Sequence, residues 1–230
     1  MNKTEEQAEE QAYIHPIFSK PLYVKQLNIN TKKIVSILKK YDFYFDEVKG
    51  INFSSASNSL YVLEDKKLLF LKDELLKEIK LFTSDVMKYS NNFDITTSWF
   101  TKSTPGQSSY YHNHNNCMIS GVLYLQTNEN CGNISFQNYD DKRYKLQVEG
   151  YNLFNSPEWN ITPKDGLLLM FPSEVYHTIQ KNNSDTTRHS LSFNLVPTGL
   201  LGDVKADSHF ISNIDHQLPD LFRKKGIKRG

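Results

Sequence analysis

From about Asn91 onward, short runs rich in Ile, Val, Tyr, Phe and Leu alternate with clusters of Asn, Gly, Pro and Ser. Runs this short, punctuated this often, cannot form long helices; they predict an antiparallel sandwich or barrel. Strands are expected near 93–101, 108–114, 118–126, 132–137, 144–149, 166–171, 175–180 and 187–196. Upstream the period changes. Tyr13 to Ile29 reads as extended, with Pro16 and Pro21 assigning it to an edge or irregular strand. Ile34, Ile37, Leu38 and Tyr41 fall at helical spacing behind the possible caps Asn30 and Thr31. Leu68, Leu71, Leu75, Ile79, Phe82 and Val86 form a second helical stripe behind Asp65, read as its cap, and this stripe is read as packing on a sheet. Two helices followed by eight strands predict an α+β domain, a jelly-roll core with helices on one sheet.

The chain's 230 residues suit one domain with a sizeable core. Its formal net charge of +1 carries no footprint of a nucleic-acid binder. No run approaches the roughly 20 apolar residues that span a bilayer. Residues 1–12 are acidic and Gln-rich, unlike a signal peptide, and read as a disordered leader. Cys117 and Cys131 are too few for a disulfide framework, so a reducing cytoplasm is the expected compartment. Residues 200–230 carry Leu218, Leu221 and Phe222 before a basic end, Lys224 to Arg229, and read as a docked segment with a solvated tail.

The histidines are unevenly placed. His112 and His114 stand two apart, so in a strand both imidazoles would point to one face and converge on one ion. His177 follows the strand at 166–171 and the turn at Pro172-Ser173. Two ligands from one strand and a third from a distant one leave open positions opposite, as Fe(II) oxygen chemistry requires. Against this stands the ordinary reading of strand histidines as surface or hydrogen-bonding residues.

Eleven residues on comes Arg188-His189-Ser190. Alternation places Arg188, Ser190, Ser192 and Asn194 on one face and Leu191, Phe193 and Leu195 on the other. The basic residues are almost all Lys; Arg143, Arg188, Arg223 and Arg229 are the exceptions. An Arg inside an otherwise apolar strand is therefore read as kept for its planar fork, with Ser190 beside it as a clamp for one carboxylate.

Residues 97–125 and 166–197 resemble the 2-oxoglutarate/Fe(II) oxygenase superfamily, close to oxygenases of marine bacteria and their phages and more distantly to prolyl hydroxylases. The likeness rests on Trp99, on His112, His114 and Asn116, and on Ser120-Gly121-Val122-Leu123-Tyr124-Leu125. It continues in Gly166 to Pro172 before His177, and in Arg188 with Ser190. These pieces cover about the central third of the chain. The resemblance implies a double-stranded β-helix (jelly-roll, cupin-like) and a hydroxylase that couples oxidative decarboxylation of 2-oxoglutarate to attack on a C–H bond, with Fe(II), 2-oxoglutarate and O2 as cofactors. It implies His112 and His177 as iron ligands, and Arg188 with Ser190 on the far carboxylate of 2-oxoglutarate. Tyr124 would join them, or serve as a core aromatic. The oxygenase domain is expected over 13–199, with helices within 30–90 and the jelly-roll over 91–199.

One position departs from the superfamily, whose motif is His-x-Asp or His-x-Glu: here the third position is His114. Three explanations stand side by side: a three-histidine site, a carboxylate from Asp140, Asp141 or Glu174, or a shifted frame using His114 and Asn116. The first fits the strand geometry with fewest assumptions and also suits Zn or Cu. Cys117 is read as a buried structural thiol. One of Tyr110 and Tyr111 should face the core by alternation. The stretch 138–165, with Tyr139, Arg143, Tyr144, Phe154 and Trp159, reads as a substrate-covering loop or a plain surface excursion. Two rivals remain, a three-histidine cupin-like metalloenzyme without 2-oxoglutarate and a non-catalytic jelly-roll module. The substrate, a small molecule or a peptidyl side chain, is not named by the sequence, and neither is the oligomeric state.

Overall fold

The computed structural model describes residues 13–44, 53–138, 146–203, 205 and 207–211. The expectations for the leader, for Tyr139, Asp140, Asp141, Arg143 and Tyr144, and for the tail beyond 211 lie outside them.

Eleven strands are found among the described residues. They are β1 (Tyr23–Gln26), β2 (Phe43–Tyr44), β3 (Ser55–Ser57), β4 (Asn92–Ser103), β5 (Ile119–Gln126) and β6 (Ile134–Gln137). After them come β7 (Glu158–Ile161), β8 (Leu167–Pro172), β9 (His177–Ile179), β10 (Arg188–Leu201) and β11 (His209–Ile211). One sheet runs β1-β8-β5-β10-β4-β3-β2, with β11 added beside β10; the other runs β7-β6-β9. All these pairings are antiparallel. The two sheets enclose Val122, Tyr124, Ile134, Phe136, Leu167, Leu169 and Phe171. This is the expected jelly-roll.

The other face of the large sheet carries the helices α1 (Thr31–Leu38) and α2 (Leu69–Lys80). Ile34, Ile37 and Leu38 of α1 share one core with Leu71, Leu75 and Ile79 of α2 and with Leu123, Leu168, Met170, Leu191, Phe193 and Leu195 of the sheet. Full burial of each such side chain stabilises the fold by about 1.5–3 kcal/mol. Asn30 caps α1 as its sequence implies, its Oδ1 accepting from the Lys33 amide at 3.0 Å.

Two details of α2 differ from expectation. Asp65 does not cap it; its side chain instead accepts from the Lys67 amide at 2.9 Å, closing a local turn, and the N-cap position is Leu68. The stripe also breaks at Val86, which is 59% exposed. Residues Leu81–Val86 form a π-turn, whose wider hydrogen-bond spacing delays the inward position by one residue, so Met87 packs on the core instead.

The edge strand β1 pairs with β8, and it is tied to α2 by buried Glu78, which accepts from the Tyr23 hydroxyl at 2.6 Å and pairs with Lys25 at 3.3 Å. Pro16 and Pro21 precede the paired residues. Strand β10 continues past residue 199 to Leu201, where β11 pairs with it.

No strand forms at 108–114 or at 146–149. In their place the sequence reading missed β7, where Glu158, Trp159 and Asn160 are exposed and the apolar alternation that signals a strand is absent. The short pieces β2, β3 and β11 carry equally little local signal. Among the described residues, no helix is long and apolar enough to cross a membrane.

Candidate metal centre and cosubstrate pocket

The inner face of the large sheet forms three rows. Register aligns Thr101 of β4, Ser190 of β10 and Tyr124 of β5; next Trp99, Ser192 and Val122; then Thr97, Asn194 and Ser120. The expected alternation on β10 therefore holds, with Leu191, Phe193 and Leu195 in the helix-side core. Gly121 is needed at its place because the Phe193 ring lies 2.2–2.7 Å from where a Cβ would stand.

Above these rows opens a cleft of about 620 Å³, lined by His112, His114 and His177 among others. One nitrogen from each of the three rings lies within 4.8 Å of the others. The convergence does not come from a strand carrying His112 and His114. That segment is an extended loop pinned at two points, to the start of β9 and to the turn between β8 and β9. His112 and His177 exchange backbone hydrogen bonds at 3.0 and 2.8 Å, and the His114 amide donates to the Ser173 carbonyl at 2.9 Å.

The rings are oriented through their outer nitrogens. His112 Nδ1 faces the Tyr110 carbonyl and His177 Nδ1 the Val175 carbonyl, both at 2.9 Å. A carbonyl only accepts, so both Nδ1 atoms carry the proton and both Nε2 lone pairs are free for a metal. Burial lowers all three pKa values, His114 to about 4 and His177 to about 3, and in those two neighbouring imidazoles add to the shift; the Tyr110 carbonyl opposes it in His112 and the Val175 carbonyl in His177. The three rings are thus neutral near pH 7, the state in which imidazole binds a metal. His114 also lies against Trp99, ring centroids 5.9 Å apart.

A polar chain supports the turn. Asn194 Nδ2 donates to Thr97 Oγ1 at 3.2 Å, so its Oδ1 is the acceptor for Ser120 Oγ at 2.9 Å. Ser120 has then used its only proton, and Ser173 Oγ must donate to it across 2.9 Å. Ser173 is the residue whose carbonyl holds His114.

Beside the row that begins with Thr101 lies Arg188, 2% exposed. Its Nη1 donates to the carbonyls of Cys131 at 2.8 Å and Gly132 at 3.1 Å. No carboxylate pairs with it among the described residues. The Tyr124 hydroxyl is fully buried and has no hydrogen-bond partner among the described residues. Burial pushes its pKa well above the usual tyrosine value, although the Arg188 charge opposes the shift. A buried cation and an orphaned hydroxyl near each other match the needs of an anion with several acceptor atoms.

The remaining candidates separate clearly. Glu174 is exposed and lies outside the histidine cluster, and Asn116 is an exposed residue at φ 60°. Cys117 is half-buried rather than buried, with its thiol toward the Asn115 carbonyl. Tyr110 and Tyr111 are both exposed, 60% and 39%, because the loop has no inward face to alternate with; Tyr110 packs on Phe53 at the cleft. In the stretch after Asn138, Leu146, Tyr151, Leu153 and Phe154 are exposed and Trp159 sits on the outer strand of the small sheet.

Residues 97–194 match the family described as "Putative 2OG-Fe(II) oxygenase". No curated protein matches the sequence. Several solved enzyme structures share the fold. HygX from Streptomyces hygroscopicus, with nickel, 2-oxoglutarate and hygromycin B bound, has a TM-score of 0.56 at 12% identity, over 85% of this chain and 93% of that one. A prolyl-4-hydroxylase from Pseudomonas putida has a TM-score of 0.53 at 15% identity, over 79% and 95%. A Trichoplax adhaerens prolyl hydroxylase, in complex with a hypoxia inducible factor peptide fragment, has a TM-score of 0.55 at 13% identity, over 76% and 83%. At these identities the likeness is one of fold, the double-stranded β-helix.

Proposed function

We propose that this chain is a 2OG-Fe(II) oxygenase that hydroxylates its substrate at an iron held by His112, His114 and His177. The far carboxylate of 2-oxoglutarate would sit on Arg188, Tyr124 and Ser190. The observation that carries this reading is the pairing of an orphaned Tyr124 hydroxyl with a buried Arg188 that has no carboxylate among the described residues. A protein without an anionic ligand would bury both at a cost of several kcal/mol in aggregate.

The donor set fits a divalent metal: three neutral imidazoles, two of them locked in one tautomer by backbone carbonyls. When bound, iron and 2-oxoglutarate supply the oxidative chemistry that turns a C–H bond and O2 into an alcohol, with succinate and CO2 as coproducts. The chain's own residues have other tasks. Arg188 and Ser190 fix one end of the cosubstrate, the carbonyls of Cys131 and Gly132 hold the guanidinium in place, and the apolar side chains Val122, Ile134 and Phe171 keep water from the inner cleft.

A carboxylate-free set of three histidines also favours a second reading, a metalloenzyme without 2-oxoglutarate. That reading leaves the Tyr124 hydroxyl without a hydrogen-bond partner and Arg188 without an opposite charge among the described residues. Anaerobic titration separates the two. Fe(II) with 2-oxoglutarate should give a visible charge-transfer band, and O2 should then release succinate. No band and no succinate, with 2-oxoglutarate binding unchanged in Arg188→Ala, would overturn the proposal. A small molecule or a peptidyl group remains the substrate on this reading, and the unpaired Cys117 and Cys131 support a reducing cytoplasm as the compartment.

A further inference from the structure

The wall of the cleft away from Arg188 carries, among its apolar side chains, a set of uncharged polar groups and one indole. Thr97 and Trp99 come from β4, Ser192 and Asn194 from β10, and Asn113 and Tyr110 from the loop that carries the histidines. Asp, Glu, Lys and Arg make up 23% of the chain, yet none is among the described residues that line the cleft. Its ionisable side chains there are the three histidines and the tyrosines Tyr44 and Tyr110.

This composition discriminates between ligand classes. A carboxylate, phosphate or ammonium group on the substrate would lose its hydration in this wall and find no opposite charge, a penalty of several kcal/mol. Hydroxyl side chains both donate and accept and rotate to suit, so Thr97 and Ser192 match partners of either polarity. Asn194 is held with one N–H on Thr97 and its oxygen under Ser120, and it retains a second N–H to offer. Trp99 presents a face of negative quadrupole, which attracts the weakly positive C–H groups of a saturated ring. Its indole lies beside His114, so a ring resting on it would have its C–H bonds next to the histidine cluster.

We propose that the substrate group entering this cleft is an uncharged, hydroxyl-rich saturated ring of the hexose type, laid on Trp99 and held by Thr97, Ser192, Asn194 and Asn113. The inference rests on the oxygenase reading for its chemistry, but the binding site itself stands on the cleft wall alone.

The chain has two tryptophans, Trp99 and Trp159, so Trp159→Phe leaves Trp99 as the sole indole reporter in the cleft. The probes are the neutral methyl glucoside, galactoside and mannoside, the amino and uronate counterparts of each, and a neutral capped tripeptide. Titrations use metal-free protein, so cofactor loading does not enter, and the charge-transfer band is read separately on the same preparation. At least one neutral glycoside should shift Trp99 emission saturably, with both charged counterparts at least tenfold weaker. Adding Ser192→Ala and Asn113→Ala should weaken that binding at least fivefold without altering the charge-transfer band. The proposal is overturned if no glycoside saturates, if a charged counterpart binds as tightly, or if the tripeptide alone binds. A missing charge-transfer band beside intact glycoside binding would instead count against the iron and 2-oxoglutarate assignment.

Discussion

His112 and His177 lie 65 residues apart in the chain, yet each backbone amide donates to the other's carbonyl, at 3.0 and 2.8 Å. Each ring is also turned by a carbonyl two residues before it, so both imidazoles present Nε2 to the same space. Removing either should weaken metal binding by more than the roughly 10–100-fold that loss of a supporting hydrogen bond costs. Co(II) titration of His112→Ala and His177→Ala, followed by absorption, checks this; unchanged affinity in both would exclude these residues as ligands.

His114 stands where the superfamily that the sequence resembles has a carboxylate. His114→Asp brings an anionic ligand to a set that is otherwise neutral, so it should retain Fe(II) at least as tightly as the parent. His114→Ala should bind more weakly than either. Equal affinity across the three proteins, measured by competition with a chelator, would remove His114 from the metal site.

Tyr124→Phe should act in opposite directions on stability and on cosubstrate. Deleting an unpaired buried hydroxyl should stabilise the ligand-free protein by about 1 kcal/mol, or about 2–4 °C in Tm. Loss of a hydrogen bond to a carboxylate should weaken 2-oxoglutarate by about tenfold. Arg188→Ala should cost more, on the order of 100-fold, since it removes the charge. Thermal melts with and without 2-oxoglutarate measure both effects in one series.

Gly132 holds Arg188 through its carbonyl and has φ +86°, with a backbone oxygen of Gln180 only 2.2 Å from where a Cβ would stand. Gly132→Ala must therefore move the backbone as well as strain it, and should destabilise the protein by about 2 kcal/mol or more. Gly150, with nothing near the corresponding position, is the control: alanine there should change stability by less than about 0.5 kcal/mol. Chemical denaturation of the two variants makes the comparison.

The metal-free protein should lose stability on acidification. Burial holds the pKa of His114 near 4 and of His177 near 3, below the ordinary 6.5. Between those limits the unfolded chain binds protons that the folded chain does not, so stability is greatest above pH 6.5 and falls as pH drops toward 4 and then 3. In a pH series of melting curves, His177→Gln should flatten part of this slope. An identical slope in parent and variant would mean His177 is not held neutral by the fold.

Local sequence alone determined the inner face of β10, because a strand's side chains alternate whatever lies beside it. Arg188, Ser190, Ser192 and Asn194 could therefore be assigned to one face before any partner strand was known. The Asn30 cap and the apolar stripe from Leu68 to Phe82 were legible for the same reason, since cap and period are properties of neighbouring residues. Val86 was misread because the π-turn changes the period within a continuous helix. β7 was invisible because an exposed outer strand takes its stability from pairing with β6 and needs no apolar alternation of its own.

The candidate metal centre depended on tertiary structure in another way. The residue types at 112, 114 and 177 were evident, but their convergence was attributed to a strand that does not form. It is produced by backbone bonds from His112 to His177 and from His114 to Ser173, and Ser173 is braced in turn through Ser120 and Asn194 to Thr97. Those bonds join segments far apart in the chain, and a backbone amide or carbonyl is the same group in every residue. The sequence could name the candidate ligands, while only the folded chain could bring them to one point.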